Sequence, residues 1–475
     1  MSLLNSSKIN NKLIAIFLSL LLVALISTTT NILLDSLGWW DQQRLYEVVL
    51  LGVAALFVFK SSVLRLPKPV FFLMLIFLGL GLFSALLAHY PWYALKEWAL
   101  YLGLFIFTLL MAKHIDTAQV QTWLLLGMAI AAGINAYQFL VYYLMAFLTG
   151  IYMLNADLLF NGFSNPRFLN QFQGLLIPVL SYLVLHFWRS KSRYRVVIYS
   201  VLFAVLATQW CIAFTLGGRS LWVGLTLSHL ALLLFFRHFW RLLLVQALAM
   251  LAGAMLFYLF FFLIPDWLAL DSTVRTSLRV TSSGRVELWS KAFALYLQSP
   301  WLGIGPMHLA EHLHLRFTSP HQGILQLLAE WGPIPALIAV YLAAKGMIKG
   351  LLYLRQPTAE HMDAALWLSI GTALVMAQFE GVFNAPYTQM WLAILIAIAL
   401  ARWMPHYELP SAGQLPKLQA YTWRVLAIPV FIISAIVLVH EVPTLAEDSQ
   451  AHMEKHGTGH TPRYWMQGWI PMDGK

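Results

Sequence analysis

Residues 242–264, LLLVQALAMLAGAMLFYLFFFLI, decide the fold class of this chain. The run contains no charged residue, and about 20 apolar residues suffice for a helix to cross the hydrocarbon core of a bilayer. Its apolar residues are continuous rather than alternating, which favours a helix over a strand of a membrane barrel. Because a helix satisfies its own backbone hydrogen bonds in lipid, the run predicts a membrane-spanning helix.

The rest of the chain has the same character. Of its 475 residues, 60% are hydrophobic and 11% are charged, and the mean hydropathy is +0.72. Soluble domains carry about 25% charged residues, so the composition predicts an all-α polytopic membrane protein with about 12–13 transmembrane helices. The thirteen candidate spans are 13–30, 45–59, 69–88, 98–112, 120–146, 168–188, 196–216, 220–236, 242–264, 322–344, 361–379, 388–402 and 424–440.

The formal net charge of +10 bears on membrane orientation. With the N-terminus inside, most of the 30 Lys and Arg residues fall on cytoplasmic segments, in line with the positive-inside rule. No nucleic-acid-binding module is recognisable, so we expect no nucleic-acid partner. Lys8 and Lys12 before Leu13–Ile26 are also compatible with a signal peptide, but no clear small-x-small cleavage site follows. We therefore expect a retained first helix.

One polar stretch separates the apolar runs into two groups. We expect nine N-terminal transmembrane helices over 1–264, an outer loop over 265–321, C-terminal transmembrane helices over 322–441 and a short outer tail over 442–475. Within the loop, Gly284–Leu297 has the pattern of an amphipathic helix, which suits the membrane interface. Pro300, Gly303, Gly305 and Pro306 then predict its end.

Arginines are frequent in or beside the predicted outer segments, where topology does not require them. The planar guanidinium fork binds phosphate in a bidentate manner, which a lysine cannot do. The pattern therefore predicts a site for an anionic, membrane-bound substrate. The outer cations are Arg167, Arg219, Arg275, Arg279, Arg285, Lys291 and Arg316, and the loop also carries His308, His312 and His314.

The strongest local motif begins at Pro320-His321-Gln322. In a helix starting at Pro320, Gln322, Gln326 and Glu330 would share one face at a spacing of four residues. Polar side chains on one stripe of a spanning helix are costly in lipid, so they must face a cavity or a partner. Two interpretations remain: a polar seam between packed helices, or a catalytic face with His321 at its mouth. Glu330 would then either orient the helix or serve as a purely structural hydrogen-bonding partner.

Three motifs together resemble the O-antigen ligase family. Arg219 lies between two spans, Arg-x3-Trp and Pro-x2-Gly-x-Gly follow at 285–289 and 300–305, and His-x10-Gly runs from His321 to Gly332. The superfamily also contains O-antigen polymerases and bacterial protein O-oligosaccharyltransferases, including pilin glycosylation ligases. The Asn/Arg-rich segment 165–171 is similar to one seen in the group. One position departs from the ligase pattern, because Pro335 stands where Gly, Thr or Val is usual, and this bears on the subfamily.

The resemblance implies a metal-independent glycosyltransferase that acts on the periplasmic face of the bacterial inner membrane. The donor would be a glycan on undecaprenyl diphosphate, and the acceptor a hydroxyl of lipid A–core or of a Ser or Thr in a pilin-type protein. Membrane lipids would surround the helices, and no metal or other cofactor is expected.

The chemistry of glycosyl transfer assigns roles to these side chains. An imidazole can take the acceptor proton near neutral pH, and arginines can neutralise the leaving diphosphate. We expect His321 to act as the base or to position the acceptor, with Arg219 and Arg285 on the diphosphate. The remaining substrate-binding candidates are Arg167, Arg275, Arg279, Arg316, Gln322, Gln326 and Glu330.

Other function classes fit the sequence less well. An O-antigen polymerase is the nearest alternative. A transporter or flippase for an anionic lipid would place its site near mid-membrane between related halves, and no such halves are recognisable. The string His308-Leu309-Ala310-Glu311-His312 matches a zinc-peptidase motif, but no third ligand follows at a suitable spacing. The single cysteine, Cys211, excludes an intramolecular disulfide.

Overall fold

A computed structural model gives the fold of the chain and confirms the predicted all-α membrane architecture. Some residues named in the sequence analysis lie outside the part of the chain that the structure describes. They are Arg275, Arg279, His314 and Arg316 of the polar loop, and Lys8 and Lys12 near the N-terminus. The described residues are 16–28, 37–61, 63–115, 117–148, 154–155, 161–270, 272–273, 284–313, 317–404, 414–456, 461–468 and 470.

Within these described residues, nine helices are long and apolar enough to cross a membrane. Three shorter apolar helices and α16 complete the set that corresponds to the predicted spans. The helices up to the polar loop are α1 (Ile16–Ser27), α2 (Trp39–Lys60), α3 (Lys68–Leu87), α4 (Pro91–His114), α5 (Ala118–Leu148), α6 (Pro166–Trp188), α7 (Arg195–Leu216), α8 (Arg219–Phe235), α9 (Trp240–Tyr258) and α10 (Ile264–Trp267). Those from the loop onward are α11 (Arg285–Gln298), α12 (Leu309–His312), α13 (Gly323–Trp331), α14 (Pro333–Leu354), α15 (His361–Met376), α16 (Pro386–Trp403), α17 (Gln414–Ile436) and α18 (Leu445–His456).

Short irregular segments join some of these helices. A 3₁₀ turn, Arg237–Phe239, precedes α9, and a π-helical turn, Leu259–Leu263, joins α9 to α10 in one continuous span. A second π-helical turn, Val437–Glu441, extends α17. Strands β1 (Leu154–Asn155) and β2 (Ser272–Thr273) form a two-residue parallel pair.

The core is built around α6, whose span is almost entirely buried. It packs against α7, α9 and α15, and α4 packs against α2 and α16. Asn165 begins α6, because its side chain accepts a hydrogen bond from the Arg167 backbone N–H at 2.9 Å. The buried face of α6 includes three polar residues, Asn170, Gln171 and Gln173. The centre of the bundle is therefore polar near the N-terminal end of α6.

The prediction that residues 322–344 form a single membrane-spanning helix is wrong. The chain forms α13, breaks at Gly332 and restarts as α14, which continues to Leu354. Gly332 has φ +87°, a conformation that favours glycine, and Pro333 cannot donate the hydrogen bond that a continuous helix would need. The membrane span is therefore α14, and α13 is a separate short helix that precedes it.

The predicted glycine motifs form one backbone crossing. Ile304 N–H donates to the Ala329 carbonyl at 2.9 Å, and Gly305 N–H donates to the Glu330 carbonyl at 3.0 Å. These carbonyls lie in the last turn of α13, where helical donors are lacking. A Cβ atom at Gly303 would lie 2.6 Å from the Glu330 carbonyl oxygen. The Pro-x2-Gly-x-Gly and His-x10-Gly motifs thus meet, and the glycines permit the close approach.

The amphipathic helix predicted at Gly284–Leu297 is confirmed as α11. Its buried side chains are Leu288 and Ala292, and α11 packs against α13. Val286 and Leu297 on the same helix are 61% and 60% exposed. A helix that hides one apolar stripe and exposes other apolar side chains suits the membrane interface.

Candidate active site

A cavity of about 160 Å³ lies at the end of the bundle where α6 begins. Segments distant in sequence line it. They are the start of α2, the start of α6, the loop before α13, the connection between α15 and α16, and residues 461–468, called the C-terminal segment below. The lining residues are Trp40, Asn165, Arg167, Phe168, Gln171, Phe317, Thr318, Ser319, His321, Glu380, Gly381, Asn384, Thr461 and Pro462.

His321 lines this cavity at the point where the loop meets α13. Its φ of +53° is unusual for a residue other than glycine, and such a conformation costs about 1–3 kcal/mol unless the surroundings impose it. Burial, together with Arg167 and Arg285, lowers the pKa of His321 to about 4. The imidazole is therefore neutral at pH 7 and can accept a hydrogen bond or a proton.

Three of the predicted arginines form a group that acts on this histidine through Arg167 and Arg285. Burial lowers the pKa of Arg285, Glu380 raises it, and Arg167 and Arg219 lower it further. Arg167 and Arg285 also act on His321. Each arginine comes from the first turn of a different helix, α6, α8 or α11. Guanidinium groups and helix N-termini both favour negative charge, so the arrangement is suited to an anion.

Glu380 is a functional candidate that sequence reasoning missed. It lies between α15 and α16, is 6% exposed and lines the cavity. Gln171 donates to its carboxylate at 3.5 Å. Burial raises the pKa of Glu380, while Ser220, Arg167, Gln171 and Arg285 act in the opposite direction. The available signal in the sequence was a lone acidic residue between two predicted spans.

The polar stripe on α13 faces protein partners rather than the cavity. Gln322 caps α13 by accepting from Leu325 N–H, and its amide donates to Gln378 at 3.0 Å. Gln326 exchanges amide hydrogen bonds with Asn384 at 3.1 Å each. These contacts match the interpretation of a polar seam between helices. The predicted contact of the stripe with substrate stays a prediction.

Glu330, at the end of the stripe, is fully buried. Its carboxylate accepts from Leu309 N–H at 3.2 Å and from the Arg463 guanidinium. Its backbone carbonyl accepts from the Ser84 hydroxyl at 2.9 Å. The sequence left open whether Glu330 orients the helix or serves as a structural hydrogen-bonding partner. These contacts match the structural partner.

The C-terminal segment folds back into the bundle and forms part of the cavity wall. Thr461 and Pro462 line the cavity, and the Thr318 hydroxyl donates to the Pro462 carbonyl at 2.8 Å. Trp40 donates its indole N–H to the Tyr464 carbonyl at 3.1 Å. The prediction of a short tail did not include this docking. The signal in the sequence was the cluster of an arginine and two aromatic residues at 463–465.

The string that resembles a zinc-peptidase motif has a structural role. Both ring nitrogens of His308 are engaged: Nδ1 donates to the Pro306 carbonyl and Nε2 accepts from Tyr90 N–H, each at 2.9 Å. Glu311 pairs with His89 at 2.7 Å. Across the described parts of the chain, no group of three or more His, Cys, Asp or Glu side chains is placed to hold a metal ion.

The bundle and its cavity define a polytopic membrane protein with a cationic site at one end. Residues 202–341 match a family described as O-antigen ligase, and this match supports a glycosyl-transfer function of the ligase or polymerase type. The matched range includes Arg219, Arg285 and His321, whereas Arg167, Glu380 and the C-terminal segment lie outside it. Among curated proteins, the chain has no match.

Proposed function

We propose that the protein transfers a glycan from undecaprenyl diphosphate to an acceptor hydroxyl, at the periplasmic face of the bacterial inner membrane. The acceptor is lipid A–core or a Ser or Thr of a protein such as pilin, so the protein acts as an O-antigen ligase or an O-oligosaccharyltransferase. The observation that carries the proposal is a group of three helix-terminal arginines, of which Arg167 and Arg285 act on His321 and Arg219 acts on Arg285.

Arg167, Arg219 and Arg285 would bind the diphosphate of the donor. Each offers a planar pair of N–H donors, and the three helix N-termini add partial positive charge. As the bond between the anomeric carbon and the phosphate oxygen breaks, its electron pair passes to the diphosphate. Preorganised cations stabilise that developing charge, so the arginines would act most strongly in the transition state. The proposal therefore needs no metal ion.

His321 would act on the acceptor. The acceptor oxygen forms the new bond to the anomeric carbon, and its proton passes either to the His321 imidazole or to solvent if His321 only positions the hydroxyl. Arg167 and Arg285 depress the pKa of His321, so a bound diphosphate would neutralise them and raise that pKa again. In this way donor binding would make His321 a stronger base.

An O-antigen polymerase is the second candidate. The observation that favours it is Pro335, which departs from the ligase motif. Pro335 lies in the first turn of α14 and not among the cavity-lining residues, and proline is tolerated in a first turn. The acceptor would then be the growing glycan of a second lipid-linked donor.

Purified protein in lipid nanodiscs tests these alternatives directly. Undecaprenyl-diphosphate glycan would be offered with lipid A–core, with pilin, or with a second lipid-linked glycan, in the presence of a chelator. We expect one acceptor to receive glycan and His321→Ala to abolish the transfer. His312→Ala is the matched control, because this exposed histidine lies in the same loop. Movement of the lipid-linked glycan across the bilayer of sealed proteoliposomes, without a new glycosidic bond, would overturn the proposal in favour of a flippase.

Sidedness requires a separate test. Glu287 in α11 has a side chain that is 73% exposed, and the native Cys211 is buried. Glu287→Cys should react with a membrane-impermeant maleimide added from the periplasmic side. Labelling only after the inner membrane is opened would reverse the proposed orientation.

A further inference from the structure

We infer that Arg463 is a positioning residue that holds the loop carrying His321 in its active geometry. The inference rests on the proposed function for the role of His321, and it adds the C-terminal segment to the catalytic site.

Arg463 lies at the centre of a buried network. It is 2% exposed, and its guanidinium donates to both carboxylate oxygens of Glu97, at 3.0 and 2.6 Å. It also donates to Glu330 of α13 and, at 3.1 Å, to the Thr318 carbonyl. One side chain thus ties together α4, α13 and the loop that leads to His321.

The loop is fixed from both sides. Pro462, the residue before Arg463, accepts the Thr318 hydroxyl at 2.8 Å, so Thr318 is bound through its side chain and its carbonyl. The Trp289 indole donates to the Pro320 carbonyl at 3.0 Å, and Gly323 N–H donates to the Ala377 carbonyl at 2.8 Å. His321, between these anchors, has the positive φ that only firm surroundings maintain. The anchor at Thr318 is the one that Arg463 supplies.

The segment is also attached independently of the Arg463 side chain. The Tyr464 carbonyl accepts from Trp40 at 3.1 Å and from Arg44 at 3.0 Å. Met466 N–H donates to Asp41 at 2.7 Å, and the Trp465 indole donates to Glu441, also at 2.7 Å. A conservative change at Arg463 should therefore loosen the His321 loop while the segment stays docked.

Two variants separate positioning from simple loss of folding. Arg463→Lys keeps the charge but loses the fork that reaches Glu97, Glu330 and Thr318 together. Removing the charge alone would leave two buried carboxylates without a cation, so the second variant combines Arg463→Met with Glu97→Gln and Glu330→Gln. Arg402→Lys is the matched control. Arg402 pairs with Asp363 and Glu360 through a similar fork, but this pair lies at the ends of α15 and α16 that are remote from the cavity.

The first measurement does not depend on glycan transfer. The rate at which diethyl pyrocarbonate modifies His321, followed by mass spectrometry across pH, reports the exposure and the pKa of this imidazole. Among the described residues, Arg167 and Arg285 act on His321, and Glu380 lines the same cavity. We expect both Arg463 variants to react at least ~10-fold faster and to show a His321 pKa above the value of about 4, closer to the ordinary value of 6.5. Arg402→Lys should match the wild type.

The second measurement is kinetic. Per folded molecule, the Arg463 variants should lose at least ~10-fold in kcat with little change in donor KM, because misplacement of a catalytic group by about 1 Å can cost 10²-fold. Unchanged His321 reactivity and kcat, with only a lower Tm, would give Arg463 a purely structural role. Absence of transfer by the wild type would instead refute the proposed function, while the modification rates would still decide the positioning role.

Discussion

Two arginine clusters at the same end of the bundle differ in their balance of charge. Around Arg463, one guanidinium faces two buried carboxylates, Glu97 and Glu330. Around the cavity, Arg167 and Arg285 act on His321 and on the Glu380 carboxylate, and Arg167 and Arg219 act on Arg285.

The difference separates architecture from ligand binding. A buried cation that is fully paired fixes the relative positions of the groups it joins, and removing either partner leaves an uncompensated charge. Arginines that act on one another beside a cavity are suited to binding an anion from outside. We therefore propose that the first cluster holds the site together and that the second binds substrate.

Arg285→Ala should give the largest effect that separates the clusters. Loss of one guanidinium from the cavity should lower transfer by roughly 10²–10³-fold, as for other preorganised donors to a developing negative charge. The Tm should stay at the wild-type value or rise, because mutual repulsion of cations is relieved. Arg463→Ala should differ by lowering the Tm strongly as well as the transfer rate. A large fall in Tm for Arg285→Ala, with normal activity per folded molecule, would show that the cavity arginines are structural like the Arg463 cluster.

Glu380→Gln should sharpen the comparison by making the cavity more cationic. Donor binding, measured by calorimetry with undecaprenyl diphosphate, should strengthen by roughly tenfold, or about 1.4 kcal/mol, because a carboxylate that competes with the diphosphate for the arginines is removed. The kcat should fall, because the added positive charge disfavours proton acceptance by His321. Weaker donor binding would show that Glu380 contacts the substrate rather than balancing the arginines.

The pH profile should report the same charges. In the free enzyme His321 has a pKa of about 4, so its neutral, proton-accepting form dominates above pH 4 and is lost as the pH falls through that value. The acid limb of kcat/KM should therefore lie near pH 4. In the donor complex the diphosphate neutralises Arg167 and Arg285, so the acid limb of kcat should lie at higher pH. If the acid limbs of kcat/KM and kcat lie at the same pH, the diphosphate does not affect the pKa of His321, which would contradict their proposed proximity.

Gly303→Ala should have the smallest effect on chemistry and a clear effect on stability. The new Cβ would meet the Glu330 carbonyl oxygen at 2.6 Å, and Gly303 has φ +71°. We expect a loss of about 1–3 kcal/mol in unfolding free energy, read as a lower Tm in detergent. Gly284→Ala is the control, since it also has a positive φ but no atom lies within 4 Å of its Cβ position. Equal losses for the two variants would mean that backbone conformation, not the crossing, is responsible.

The sequence was sufficient to predict most of the architecture. Uninterrupted apolar runs identified the membrane helices, and the amphipathic helical pattern identified α11 to within one residue at each end. The break at Gly332 was missed because hydropathy continues across it, although Gly332-Pro333 carries the local signal for a helix end.

The site was predictable only in part. Arg219, Arg285 and His321 could be chosen because they occupy recognisable motifs, and Arg167 because cations outside the membrane need an explanation. Glu380 and Arg463 carry no motif, and their proximity to the site depends on contacts between segments far apart in sequence. Periodicity and composition report local structure, so they do not reveal such contacts.

The position of the donor diphosphate is the most direct test of the account. A cryo-EM structure with a non-transferable undecaprenyl-diphosphate glycan should show the diphosphate bound to Arg167, Arg219 and Arg285, with its anomeric carbon facing His321. Density for the diphosphate away from these arginines, or an anomeric carbon too far from His321 for an acceptor oxygen to reach both, would contradict the account.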